Sequence, residues 1–420
     1  MPRNIREWRV LSAVALAAAL TTTVAACGGG PGGGGGKISD DKIVLGVLND
    51  QSGVYSELSG KNSVTAVEMA VEDFKAKYGE DAVSSNIEVV TADHQNKPDV
   101  ANTKAQELYD RQKADVILDV PTSSAALAVA GQAAAKKKLH INVTAATTEL
   151  TGAKCDKYTF HWAYDTYMLA NGTGTSVTAA GAKDWYIVYP DYAFGQDMQK
   201  SFTTAIQNGG GQVLAADPTP FPNDDFSTFL LKAPEMSPKP SVLGTMHAGG
   251  DLVNLVKQYN EFGLREKGVD LSVGLMFITD IHSLGVEAFA GTTFTDAWYW
   301  NADPDNRAWA DRFTAKTGTR PSFAHAGNYS AALQYLEAVQ RAGTDGSDEV
   351  VKSLEGYAFN DVFATNGQVR AEDHRMIHDS YLAEVKSPDQ VTEEWDYEEI
   401  VETIPAAEAF RPVADSGCKF

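Results

Sequence analysis

Between Lys42 and Thr279 the chain repeats one unit: a short apolar run, then a segment with apolar residues at steps of three and four. Lys42–Asn49 (KIVLGVLN) is rich in β-branched residues, as strands buried on both faces are. In Ser63–Tyr78, Val64, Val67, Val71, Phe74 and Tyr78 share one helical face. Asn86–Asp93, Ala114–Val120 and His140–Thr144 read as further strands, around helices over Lys97–Gln112 and Ser123–Lys138. A second series has strands Asp184–Tyr189, Gln212–Ala216, Ser241–Met246 and Leu271–Thr279, with helices Gly195–Gln207, Phe226–Ala233 and Gly250–Phe262. Such alternation predicts parallel sheets covered on both faces, hence an α/β protein of two doubly wound lobes. Beyond Trp300 the pattern is helical to Arg341. Met376–Val385 and Trp395–Val401 then read as strands added to the second sheet.

The N-terminus follows a different rule. Arg3, Arg6 and Arg9 precede an apolar run, Val10–Leu20, and then Val24-Ala25-Ala26-Cys27. This is a signal peptide over 1–26 with a cleavage site like a bacterial lipobox, which makes Cys27 the expected lipidation site. The run is far shorter than the ~20 residues a membrane span needs. The glycines of 27–37 read as a flexible tether. The protein is therefore expected outside the cytoplasm, held to the membrane by lipid. There the remaining cysteines, Cys155 and Cys418, are expected to pair. A net charge of −21, from 35 basic and 56 acidic residues, argues against a nucleic acid partner.

In open α/β sheets ligands sit beyond the carboxyl ends of the strands. Here those ends run into Asn49–Tyr55, Pro121–Ser124 and Thr144–Thr148, which are small and polar. Hydroxyls at a helix start suit an anionic group. No HExxH, Walker A, G-x-S-x-G or paired CxxC occurs, so no enzyme, cofactor or metal is expected. His374 and His378 are four apart but flank a loop–strand junction. His161, His247 and His282 are read as candidates for ligand hydrogen bonds across a cleft. Glu393-Glu394 and Glu398-Glu399 read as solvated surface, and Tyr299-Trp300 as packing near a hinge.

The segments KIVLGVLNDQSGVYSELSG, ADHQNKPDVANTKAQEL, DVPTSSAALAV, NVTAATTELTG, YPDYAFGQDM and GNYSAALQYLEAVQRAGT carry a resemblance. In order and spacing they resemble the substrate-binding lipoproteins of branched-chain amino acid-type ABC importers, the leucine/isoleucine/valine-binding branch of type I periplasmic binding proteins. The resemblance implies two lobes, 38–160 plus 292–362 and 161–291 plus 363–420, joined by a three-stranded hinge and closing on a small carboxylate-bearing ligand of the amino acid class, with aromatic acids or aliphatic amides, or a ligand-sensing role, as the alternatives. It implies a monomer that works with an ABC permease and ATPase. It names as ligand-binding Ser52 and Tyr55; Thr122, Ser123 and Ser124; Ala145, Ala146 and Thr147; Tyr192 and Phe194; and His247 and Ala248. Asp280 is the expected partner of an amino acid's ammonium group. His247-Ala248-Gly249 stands where leucine binders carry aromatics, and His161-Trp162 where Arg-Thr is usual. Both departures suit a flatter, aromatic carboxylate.

Overall fold

The computed structural model describes residues 38–420. The expected signal peptide and the whole tether, Cys27 included, lie outside them. The first lobe opens with β1 (Ile43–Asn49), α1 (Asn62–Tyr78), β2 (Ile87–Asp93), α2 (Pro98–Asp110), β3 (Val116–Asp119), α3 (Ser123–Lys136), β4 (Leu139–Asn142) and β5 (Thr159–His161). Its five strands are parallel in the order β2-β1-β3-β4-β5. After α4 (Thr166–Leu169) and α5 (Thr175–Ala179) come β6 (Asp184–Pro190), α6 (Ala193–Asn208), β7 (Gln212–Thr219), α7 (Ser227–Lys232), β8 (Val242–Thr245), α8 (Gly249–Glu261) and β9 (Asp270–Val273). These four strands form a second parallel sheet, β7-β6-β8-β9. Both orders reverse beside the first strand of their series, the doubly wound pattern expected. They make this a type I periplasmic-binding-protein fold.

The remaining elements return to both lobes. They are α9 (Ile278–Leu284), β10 (Thr293–Asp296), α10 (Pro304–Thr317), α11 (Phe323–Ala342), α12 (Ser347–Leu354), β11 (Ala358–Phe359), β12 (Gly367–Val369), β13 (Met376–Ile377), β14 (Ser380–Val385), β15 (Glu398–Ile404) and α13 (Ala406–Ala409). Helix α11 packs along α1 and is buried almost throughout to Val339, which closes one face of the first sheet. Its start is fixed by His325, whose Nδ1 accepts the Ser322 N–H at 3.0 Å.

Four expectations need correction here. The strand read as Leu271–Thr279 ends at Val273, because β9 pairs only with four residues of β8. The chain then leaves the sheet and starts α9. The strand read as Met376–Val385 is two strands in different sheets: β13 pairs with β12, β14 with β10 and β15. They part at His378, whose Nε2 is buried against the Ala163 carbonyl, 2.6 Å away. With β10 and β15, β14 builds a separate antiparallel sheet rather than extending the second parallel one, as strands joined by a reversing loop do. Glu398, at the start of β15, is buried rather than solvated. Burial and the Asp296 charge push its carboxyl up.

The lobes are joined where the chain crosses after β5, after β10 and near β13. Arg375 ties the first and last of these. Its guanidinium is fully buried, donates to the His161 and Trp162 carbonyls at 2.6 and 2.9 Å, and pairs with Asp165 at 3.0 Å. It also sits 4.2 Å from the Phe410 ring centroid. Trp298 and Trp300, buried at the second crossing, donate their indole N–H groups to Val362 and Trp395 carbonyls. From β15 the C-terminal tail runs back to the first lobe. Arg411 donates to the Thr148 and Thr151 carbonyls, and Cys418 is joined to Cys155, with Cα atoms 5.6 Å apart.

Candidate functional site

The carboxyl ends of β1, β3 and β4 face those of β6, β8 and β9 across the gap between the lobes. The loop after β1 is shaped by Asp50, whose carboxylate accepts N–H bonds from Gly53 at 2.6 Å and Tyr55 at 2.9 Å. This aims Tyr55 across the gap, where its hydroxyl meets that of Tyr192 at 2.5 Å. Tyr192 is stacked on Phe221, with centroids 4.3 Å apart. Beside them the Gly250 N–H donates to the Val54 carbonyl at 3.4 Å. Gly249 makes this approach possible: its φ is +57°, and a Cβ there would lie 2.9 Å from the Val54 oxygen. The two lobes are thus in contact across the cleft.

Behind the tyrosine pair is a narrow cavity of about 10 Å³, room for about one water molecule while the lobes are in contact. Five aromatic rings line it: Tyr55, Tyr164, Tyr192, Phe194 and Phe277. Leu58, Pro121, Ala146, Ala248, Leu275 and Thr144 complete the wall. Tyr164 donates its hydroxyl to the Thr144 carbonyl at 2.6 Å, and the Thr144 hydroxyl is bonded to the buried Asp119. Phe277 stacks on Phe323 and stands edge-on to Tyr164. Burial, above all, raises the pKa of Tyr55, Tyr164 and Tyr192, so their phenols are neutral donors at every physiological pH. Among the described residues no carboxylate lines this cavity. A larger, solvent-facing groove of about 630 Å³ runs between the loop after β1 and helices α8 and α9.

Of the residues named from sequence, the structure brings Tyr55, Ala146, Tyr192, Phe194 and Ala248 to the cavity wall. Thr122 and Ser124 line an adjoining groove beyond Tyr192 and Phe221. Ser123, at the first turn of α3, is buried with its hydroxyl unpartnered. The others are engaged elsewhere. Ser52 is exposed and donates to Asp93 at 2.6 Å. Ala145 gives its carbonyl to His161 at 2.6 Å, and Thr147 accepts the Glu149 N–H at 3.3 Å. His247 lies buried between the Thr219 and Thr245 hydroxyls, at 2.8 and 2.9 Å, and burial lowers its pKa to about 3.

Asp280 also departs from expectation. It sits in the first turn of α9, where its carboxylate accepts the Phe277 N–H at 2.9 Å. It therefore caps its own helix, and it borders the solvent-facing groove rather than the cavity. Burial pushes its carboxyl up to about 7, the Phe277 bond opposing the shift. The histidines do not converge. His161 and His247 are spent as described, while His282 is exposed, stacked on Trp395 at 3.7 Å. His374 bonds Glu355 and His378 bonds the Ala163 carbonyl. Among the described residues no group of His, Cys, Asp or Glu is assembled to hold a metal ion.

Four wall residues were not read from sequence, Leu58, Tyr164, Leu275 and Phe277, while Pro121 and Thr144 lie in loops that were read but were not themselves named as ligand residues. Leu275 and Phe277 were hidden inside an overlong strand. Ending it at Gly274, a strand breaker, would have put both at a carboxyl end.

A cavity between the strand ends of two hinged parallel-sheet lobes is the arrangement expected of a solute-binding protein. The chain belongs to the periplasmic binding protein family, whose model matches residues 42–390. It is similar to a periplasmic binding protein of Burkholderia mallei, at 42% identity over 90% of this chain and 98% of that one, with a TM-score of 0.85. A branched chain amino acid ABC transporter periplasmic ligand-binding protein of Burkholderia xenovorans is 35% identical over 90% and 99%, with a TM-score of 0.79. Leu/Ile/Val-binding protein homolog 6 of Brucella melitensis is 23% identical over 84% of this chain and 90% of its own length. The family is a substrate-binding component of transport, and this chain is such a periplasmic solute-binding protein of an ABC transporter. Among the described residues no helix is long and apolar enough to cross a membrane.

Proposed function

We propose that this chain is an exported lipoprotein that captures a small, flat, apolar carboxylate between its lobes and hands it to an ABC permease. The chain is taken to change lobes at the crossings after β5, after β10 and near β13, with the tail beyond β15 returning to the first lobe. The observation that carries the ligand class is the cavity lining: five aromatic rings and, among the described residues, no carboxylate. A buried ammonium without a partner is costly, whereas ring faces and edges receive another ring favourably. With the lobes in contact only about 10 Å³ is free there, so the ligand would be admitted as the lobes part. The acid group would be received at the start of α3. A helix start leaves N–H groups unbonded within the helix, Pro121 just before it is in the cavity wall, and the buried Ser123 hydroxyl has no partner. A solved protein of this fold from Rhodopseudomonas palustris, 21% identical, holds benzoate. That the architecture accepts such an acid is all this likeness contributes.

Calorimetry and thermal-shift measurements with benzoate, 4-hydroxybenzoate, L-leucine and acetamide test the reading. The aromatic acids are expected to bind. At a hundred times Kd a ligand adds about 2.7 kcal/mol of stability. Tighter binding of leucine or acetamide than of either acid overturns it. The anchor is tested separately: Cys27→Ala is expected to move the protein from the detergent phase to the aqueous phase, and unchanged partition refutes lipidation.

A further inference from the structure

We infer that Asp197 is a positioning residue for solute capture: it latches the two lobes together and so sets how tightly any ligand is held, without touching it. Asp197 lies one turn into α6, on the second lobe, three residues after the cavity residue Phe194. Its Oδ2 accepts the Thr148 N–H at 2.7 Å, the Thr148 hydroxyl at 2.9 Å and the Thr166 hydroxyl at 2.8 Å. Thr148 belongs to the first lobe, in the 3-10 turn that follows β4. Thr166 lies beyond the first hinge crossing, on the side of Asp197, and its hydroxyl also meets Ser201 of α6 at 3.2 Å. The carboxylate is therefore already aimed within its own lobe. When the lobes come together, the group it must capture is Thr148. Thr148 is itself braced from behind, because its carbonyl accepts from Arg411 of the tail.

The consequence is a matter of populations. A ligand that binds the closed arrangement has an apparent Kd equal to its intrinsic Kd divided by the closed fraction. A contact made between the lobes raises that fraction for every ligand alike, whereas a contact to the ligand discriminates. Hydrogen bonds to an ionised acceptor are among the stronger ones. Losing this set is expected to weaken binding about tenfold or more.

The test uses the full chain and the probes benzoate, 4-hydroxybenzoate and L-leucine. Asp197→Ala is expected to weaken every probe that binds by one common factor, about tenfold. Thr148→Val, which keeps the N–H bond, should weaken them less, and Thr148→Ser should remain within about twofold of wild type. Without ligand, Asp197→Ala should enlarge the radius of gyration in small-angle scattering and speed amide exchange at Thr148. Affinities of both Asp197→Ala and Thr148→Val within about twofold of wild type would overturn the latch. So would losses that differ more than about threefold between probes, which would mark Asp197 as part of the ligand site. Should Asp197→Ala fail to fold, Thr148→Val and Thr148→Ser carry the comparison. Should none of the probes bind wild type, the aromatic-acid reading fails. Scattering and exchange without ligand then decide the latch alone, unchanged values rejecting it.

Discussion

Asp280 and Tyr55 occupy corresponding positions beyond the strands of opposite lobes, and burial treats them differently. The Tyr55 phenol stays neutral at no cost, bonded to Tyr192. The Asp280 carboxyl, pushed up to about 7, is protonated in the folded protein at a pH where the unfolded chain has already lost that proton. A folded pKa above the unfolded one contributes stability in full below about pH 4, and that contribution is lost as pH rises through about 7. Asp280→Asn keeps an oxygen for the Phe277 N–H and removes the titration. Relative to wild type, the variant should gain stability between pH 4 and 7, by up to ~1.4 kcal/mol per pH unit. Urea unfolding at pH 4, 5.5 and 7 measures this, and parallel curves for the two proteins reject the assignment. Because Asp280 caps α9 instead of meeting ligand, the same variant should keep affinity for bound acids within about twofold.

Helix starts and strand ends make the site, and the sequence disclosed them unevenly. Runs of apolar residues marked β1 and β6, because a strand buried on both faces carries few polar residues to blur it. The end of β9 was illegible, since it is set by which residues of β8 remain opposite. The direction of Ser52 was illegible too: its hydroxyl is taken by Asp93, 41 positions away. His247 is the instructive intermediate case. Its spacing of two from Thr245 puts both on one side of the chain, so the pairing with Thr245 was implicit, but the burial was not. At the start of α8 the decisive residue is Gly249. In Gly249→Ala the added Cβ would press on the Val54 oxygen, and the left-handed backbone costs a further ~1 kcal/mol. Since Val54 is across the cleft, affinity is expected to fall by more than the unliganded stability does, on the order of tenfold. Equal losses in calorimetry and in unfolding free energy would place the strain within one lobe.

Across the whole molecule, the three hinge crossings were foreseen as a consequence of family resemblance, but the fourth link, the tail, has its own physical basis. Arg375, the Phe410 ring and Arg411 lie in sequence along the path from hinge to first lobe, and the Cys155–Cys418 bond ends it. Cross-linking residues 263 positions apart removes much of the unfolded chain's freedom. The chain-entropy figure is roughly 5 kcal/mol, an upper value because residual structure reduces it. Cys155→Ser with Cys418→Ser should therefore lower the melting temperature by several degrees. It should do so with little change in ligand affinity, since neither cysteine lines the cavity. A melting temperature equal to that of wild type would show that the tail is held by its other contacts alone.

The same bond turns most of the polypeptide into a covalent ring. Every hinge crossing and the entire second parallel sheet lie on the arc from Cys155 to Cys418. One backbone cut anywhere on that arc opens the ring without releasing a fragment. A protease that nicks the long reversing loop between β14 and β15 should leave a single band on a non-reducing gel and two bands after reduction. A first cut there would cost the protein neither lobe.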